Sequence, residues 1–320
     1  MRSVKAGVLA LSLFAVGCTD RTSPTSETTG LEGIGGADET TAPDAAAPSE
    51  LGSAASTSSG GKVFGVDTEN NLVVFNLDRP GQMSRKVRIT GIGGQKIVGI
   101  DFRPSAVAPA TAGVIGKLYG ITKTKIYEID PGTGYASNGQ SLTVPLVGVS
   151  FGTGFNPTVD RLRSHGNAAQ NVRLSVDNGL ATQDTALAYA VGDPGFGTAP
   201  SIGGTAYTNS DNDPATGTVL YAIDARRDAL AVLPSPNGGQ LTTVGRLRVR
   251  TSNMIGFDIP GAVGTPFGYA SLTNPDRRFD KWAGGRGGST LYKVDLATGA
   301  ARLIGDVGHR FPLVSIALAP

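Results

Sequence analysis

Cysteine is almost missing from this chain, and the single residue, Cys18, rules out an internal disulfide. Histidine occurs twice, too rarely for a His-rich metal site, and tryptophan once. Charged residues make up only 17%, and 28 basic side chains nearly balance 26 acidic ones. That balance lacks the basic footprint a general nucleic-acid binder needs. Outside the N-terminus no long stretch repeats apolar residues at helical spacing, which argues against a helical or βαβ fold. There is no nucleophile elbow. Ser164 and His165 are adjacent, so on a strand their side chains point to opposite faces and form no dyad. What is plentiful is glycine, 46 residues, and proline, 19, in a chain of 320. Short alternating runs between Gly, Pro, Asn and Asp are the pattern of consecutive strands with tight turns.

The N-terminus carries an address. Arg2 and Lys5 precede an apolar run from Ala6 to Val16, too short to span a bilayer comfortably. The run ends in Ala15-Val16-Gly17-Cys18, small residues directly before a cysteine. This resembles a bacterial lipobox, with residues 1–17 as a lipoprotein signal peptide and Cys18 as the acylated anchor. Ala15 stands where such boxes usually have Leu. Thr19, rather than Asp, follows the cysteine, so the resemblance implies a lipid-anchored envelope protein, at the outer membrane if the cell has one. Residues 18–60 read as a disordered linker of Ser, Thr, Ala, Pro, Gly and acids without an aromatic residue. Its one basic residue, Arg21, faces seven acids, so the linker is expected to be extended and to hold a domain of residues 61–320 off the membrane.

That domain is repetitive. Gly99-Ile100-Asp101-Phe102 aligns with Gly152-Thr153-Gly154-Phe155, Gly204-Thr205-Ala206-Tyr207, Gly256-Phe257-Asp258-Ile259 and Ser315-Ile316-Ala317-Leu318, at steps of 53, 52, 52 and 59 residues. The fourth place is always apolar: Phe102, Phe155, Tyr207, Ile259, Leu318. A second set of strands ends in Asp or Asn: Leu72 to Asn76, Ile126 to Asp130, Arg173 to Asp177, Leu220 to Asp224, Leu291 to Asp295. Turn residues follow, as in Pro131-Gly132-Thr133-Gly134, so these acids are expected to cap turns. A period near 50 with several strands per copy predicts an all-β, five-bladed β-propeller. With strands lettered A to D from the centre outward, the first copy lacks strand A and the last strand A stands alone at the C-terminus. Pairing Lys62 to Asp67 with Leu313 to Pro320 would close the ring and leave no bare inner edge.

The run Gly154-Phe155-Asn156-Pro157-Thr158-Val159-Asp160-Arg161-Leu162-Arg163 is the most specific stretch. With Gln170 to Leu174, Gly204 to Asn209, Leu291-Tyr292 and Thr298 to Ala301, it resembles the bacterial family called domain of unknown function 4394, over about Lys62 to Pro320. The resemblance implies an exported, propeller-like domain and no activity. Ser164-His165-Gly166 departs from the apolar strand expected there.

Candidate chemistry is sparse. Asp101 and Asp258 hold the same place on strand A of two blades, so both could face the channel as the paired carboxylates of a glycan-directed hydrolase. The competing reading pairs them with backbone amides or with Arg103. Asn209, Asp211 and Asp213 alternate oxygen side chains in an A-to-B turn, a weak calcium motif without the closing Glu; no other cofactor is indicated. Trp282 lies among Arg277, Arg278, Lys281 and Arg286 in the longest B-to-C connection. His165 and Asn167 are read as another B-to-C turn, and Asp193, Phe196, His309 and Arg310 as D-to-A segments. All should gather at one mouth of the channel, where a glycan or an envelope protein could bind. Three functions stay open: an envelope binding or scaffolding module, the hydrolase, or a structural protein without a ligand.

Overall fold

The computed structural model describes residues 61–104, 116–210, 214–276, 287–308 and 310–320. All belong to the compact unit Thr57–Pro320. The expected signal peptide, Cys18 and the linker lie outside the described residues, as do Asp211, Asp213, Arg277, Trp282, Arg286 and His309.

Five sheets form the ring. Blade 1 orders β21 (Leu313–Leu318), β1 (Lys62–Asp67), β2 (Asn71–Asn76) and β3 (Arg79–Arg88) from the centre outward. Blade 2 is β4 (Gly99–Phe102), β5 (Leu118–Ile121), β6 (Lys125–Ile129) and β7 (Ala136–Ser141). Blade 3 is β8 (Phe151–Asn156), β9 (Arg161–Gly166), β10 (Asn171–Leu174) and β11 (Ala181–Gln183). Blade 4 is β13 (Ile202–Tyr207), β14 (Leu220–Asp224), β15 (Ala229–Leu233) and β16 (Gln240–Arg246). Blade 5 is β17 (Ile255–Asp258), β18 (Phe267–Leu272), β19 (Thr290–Asp295) and β20 (Ala301–Asp306). The expected closure is present: β21 pairs antiparallel with β1, Gly65 opposite Ile316.

The repeat's first place explains itself at the centre. Inner strands of neighbouring blades touch directly. A Cβ on Gly152 would lie 2.3 Å from Thr205 Oγ1 and 2.6 Å from the Gly204 carbonyl carbon. One on Gly256 would lie 2.5 Å from the Ile316 nitrogen. Only glycine lets these backbones approach so closely. In the fifth copy Ser315 stands there, and its hydroxyl accepts the Ile100 amide of blade 2 at 3.1 Å. The apolar core lies between blades. Ile100, Leu118 and Ile129 pack on Val66 and Leu72 of blade 1. Phe151, Phe155 and Leu162 pack on Ile121 and Ile126 of blade 2.

Two turn acids that follow a C strand behave as expected, whereas a third, Asp177, is taken by Arg103. Asp130 Oδ1 accepts the amides of Gly132 and Thr133, both at 2.7 Å. Asp295 Oδ1 does the same for Ala297 and Thr298 at 3.0 and 2.8 Å. One alignment is corrected. Leu220–Asp224 is the second strand of its blade, not the third. Strands B and C both end in a polar residue and a tight turn, so their patterns are interchangeable. Asp224, fully buried, still caps its turn by accepting the Arg226 amide at 2.8 Å, and it also takes the Tyr189 hydroxyl at 2.7 Å and the Ser201 amide at 3.2 Å. Blade 4 also gains an outer strand the repeat does not foretell: β12 (Ala188–Tyr189) runs parallel to β16.

Candidate functional site

Strand A ends bring Asp101 and Asp258 to one cavity of about 440 Å³. The fourth-place residues Phe102, Phe155, Tyr207, Ile259 and Leu318 all contribute to its lining. Pro104, Pro260 and Pro320 and the half-buried Ser210 extend it, so the cavity opens at the A-to-B end of the ring. Among the described residues its one basic lining residue, Lys62, is exposed.

The two carboxylates are wired alike. Asp101 Oδ1 accepts the amide of the next residue, Phe102, at 2.8 Å, and Oδ2 accepts Phe155 of the following blade at 2.6 Å. Asp258 Oδ1 accepts Ile259 at 2.8 Å, and Oδ2 accepts Leu318 of the following blade at 2.7 Å. Each acid therefore clasps two neighbouring inner strands through channel-side amides that no ladder uses. Of the expected partners, backbone amides are present and Arg103 is not. Arg103 instead bridges Asp160, through a short bidentate contact, and Asp177, at 2.9 Å. Among the described residues neither cavity carboxylate has an ion-pair partner.

Both acids keep some surface, but only toward the cavity, and enclosure dominates their acidity. Burial, then the charge of Asp258, pushes Asp101 well above the usual carboxylate range, against the Phe155 and Phe102 amides. Burial raises Asp258 to about 7, against the Leu318 and Ile259 amides. Four amide donors do not offset desolvation and like charge, so both carboxyls are weaker acids than usual.

The other end of the ring has a smaller cavity, about 250 Å³, lined by Ile97, Val149, Phe151, Met254 and Val314 among others. Three of the residues expected to gather there are committed to contacts within the fold, and only for His165 is the expected turn itself corrected. His165 is not in a turn; it lies in β9, wholly buried between blades 3 and 4. Its Nδ1 lies 3.1 Å from Thr205 Oγ1 and its Nε2 3.1 Å from Asn171 Oδ1. Burial and the Arg163 charge lower its pKa to about 3, so it is neutral. Second, Asn167 is in the turn, but its Oδ1 is taken by the Val149 amide at 2.9 Å. Third, Asp193 is pinned to the outer strand β16 through the Thr243 amide at 2.6 Å, away from the channel. For His165 the reason is contact with Thr205 of the next blade, whereas Asn167 and Asp193 are fixed by the backbone amides of Val149 and Thr243. Around His165 the apolar core gives way to polar groups. Arg163 reaches Tyr207 at 2.9 Å, Asp184 at 2.8 Å and Asn237 at 2.6 Å.

In the calcium candidate only Asn209 is described, and its amide group is spent on Gly217 O, 3.1 Å, and the Gly264 amide, 3.1 Å. Among the described residues no three His, Cys, Asp or Glu side chains cluster as a metal site. At the base of the Trp282 loop, Thr273 and Ser289 join hydroxyls at 2.8 Å. Sequence reasoning found the fourth-place residues as packing and missed them as cavity lining. The signal was available: two of them, Phe102 and Ile259, directly follow the acids, and all five lie at or next to the end of strand A.

The model of the family described as "Domain of unknown function (DUF4394)" matches residues 71–317. No curated protein matches the chain. Among solved structures it is similar to the glutaminyl cyclase of Myxococcus xanthus, with 13% identity over 70% of this chain and 71% of that one. The TM-score of that superposition is 0.37, too low to bear on function. Among the described residues no helix is long and apolar enough to cross a membrane.

Proposed function

The chain belongs to this family of unknown function, and we propose that it is an envelope binding module that takes a small ligand into the cavity between Asp101 and Asp258. In this reading residues 1–17 are a lipoprotein signal, Cys18 is acylated, and the acidic linker carries the propeller outward. One observation carries the binding site. The cavity is mostly apolar in its walls and holds two carboxyls that make no ion pair among the described residues, Lys62 at its lining being exposed. Concave apolar sites with a few convergent polar groups are where small ligands bind. The cavity at the opposite end has about half the volume.

The experiment is a binding screen of glycans, cell-wall fragments and small metabolites on the intact protein, repeated with two plugged variants. Ser210→Trp fills the A-to-B cavity; Met254→Trp fills the opposite one. Binding should be lost in the first and kept in the second. The reverse pattern would move the ligand to the other mouth and refute this assignment. Cys18→Ala should release the protein from membranes or block its maturation; unchanged fractionation would remove the anchor.

A second reading, glycan hydrolysis through Asp101 and Asp258, draws on their shared cavity and raised pKa values. It requires turnover that Asp101→Asn or Asp258→Asn abolishes while glycan binding survives. Against it stands the wiring, since every carboxylate oxygen of the pair already serves a backbone amide.

A further inference from the structure

We propose that the ligand of this cavity is a protonated organic amine, an ammonium group on an apolar body. The inference rests on the reading of the cavity as a ligand site and names the chemistry that site selects. Three observations converge. First, two carboxyls reach one cavity from strands β4 and β17, on either side of β21. A buried carboxylate is stable only when paired. Among the described residues no ion pair reaches them: Arg103 is consumed by Asp160 and Asp177, and Lys62 lies exposed. Second, Phe102, Phe155 and Tyr207 line the same space, and aromatic walls favour a cation over an anion. Third, each carboxylate oxygen accepts one backbone amide and keeps a further lone pair. An ammonium N–H can use that lone pair without unfastening the inner strands. A divalent metal ion fits less well, because the two acids lack a third acidic, His or Cys partner among the described residues.

The apolar part of the ligand would sit against Ile259, Leu318 and the prolines of the mouth. Binding should be linked to protons. An incoming ammonium favours the ionised carboxyls, so the pair releases a proton on binding near neutral pH. The affinity should rise as pH climbs from 5 to 8 by about tenfold or more, because the site is mostly neutral two units below its upper titration.

The test uses the full chain and three probes with one body and different heads: phenethylamine, phenethyl alcohol and phenylacetate, followed by titration calorimetry at pH 5 and pH 8. The amine should bind with the stated pH rise. Buffers of different ionisation enthalpy should report the released proton. The neutral and anionic probes should bind about tenfold more weakly or not at all. Asp101→Asn and Asp258→Asn should each weaken the amine by about tenfold, while Lys62→Ala should leave it equal or tighter. Because the probe comparison needs no substitution, a variant that fails to fold does not blunt the test. If the alcohol or phenylacetate binds as well as the amine and Ser210→Trp blocks it, the amine proposal falls and the cavity remains the site. If amine binding survives Ser210→Trp, or none of the probes binds at about 10 mM, the amine proposal falls with no support left for the cavity.

Discussion

Replacing Asp258 by Asn should change how stability depends on pH, not merely how large it is. In the fold the carboxyl titrates at about 7, and in the unfolded chain near the ordinary value of 3.8. Between those values the native state holds a proton that the unfolded state has lost. The stabilisation is therefore complete below about pH 3.8 and is lost as pH rises through 7. Roughly three units correspond to about 4 kcal/mol at most, and water in the cavity reduces that figure. Asn does not titrate, so the variant escapes this loss. It also has one carbonyl oxygen where Asp had two, and leaves the amide of Ile259 or Leu318 without its acceptor. That is a pH-independent penalty of about 1–3 kcal/mol. The variant should be less stable than the parent at pH 4 and equal or more stable at pH 8, so the two curves converge or cross. Removing the Asp258 charge also relieves Asp101, which adds to the effect at high pH. His165 works in the opposite direction: its pKa falls to about 3, so its stabilisation is present above 6.5 and lost as pH falls. That contribution is common to both proteins and cancels in the difference, because His165 is not among the partners of Asp258. Urea midpoints at half-unit steps from pH 4 to 8, with an unchanged slope, supply the measurement. Parallel curves with a constant offset would refute the raised titration and the enclosure inferred from it.

Three further outcomes are expected. Arg103→Ala should lower stability by about 3–5 kcal/mol, because it leaves the nearly buried Asp160 without its partner, and Arg103→Lys should recover only part; urea midpoints decide, and a loss under half a kcal/mol would make the bridge ornamental. Gly152→Ala should lower the melting temperature sharply, by more than the ~1–3 kcal/mol of ordinary overpacking, since its Cβ meets the backbone at Gly204. Gly287→Ala, with nothing within 4 Å among the described residues, is its neutral control, and equal melting of the two would disprove the close approach. Deleting residues 313–320 removes fully buried Leu313 and Ile316, worth ~1.5–3 kcal/mol each, and bares β1 to the channel. The truncated protein should aggregate or lose cooperative unfolding, and an unchanged calorimetric transition would show that β21 is dispensable.

Local chemistry, which the sequence carries by itself, determined the blade. Tight turns need Asp and Gly at fixed offsets, and these recur after β6 and β19. Crowding at the ring centre needs glycine at the first place of strand A, so the period could be counted from Gly99, Gly152, Gly204 and Gly256. An orphaned last strand and a missing first one foretold the closure of β21 on β1. The pairing of Asp101 and Asp258 at one repeat place was visible too. Tertiary structure alone decided what those residues do. A carboxylate on one blade meets an amide on the next, as Asp101 meets Phe155, and the repeat pattern of either strand is the same with or without that bond. Strand rank was likewise hidden at Leu220–Asp224, because B and C strands share their pattern and differ only in which neighbour they pair with. His165 reads as a turn residue until Thr205 of the next blade and Asn171 close over it. The cavity is a property of chain segments from all five blades, spread over more than two hundred residues, and its position at the A-to-B mouth exists only once the ring has closed.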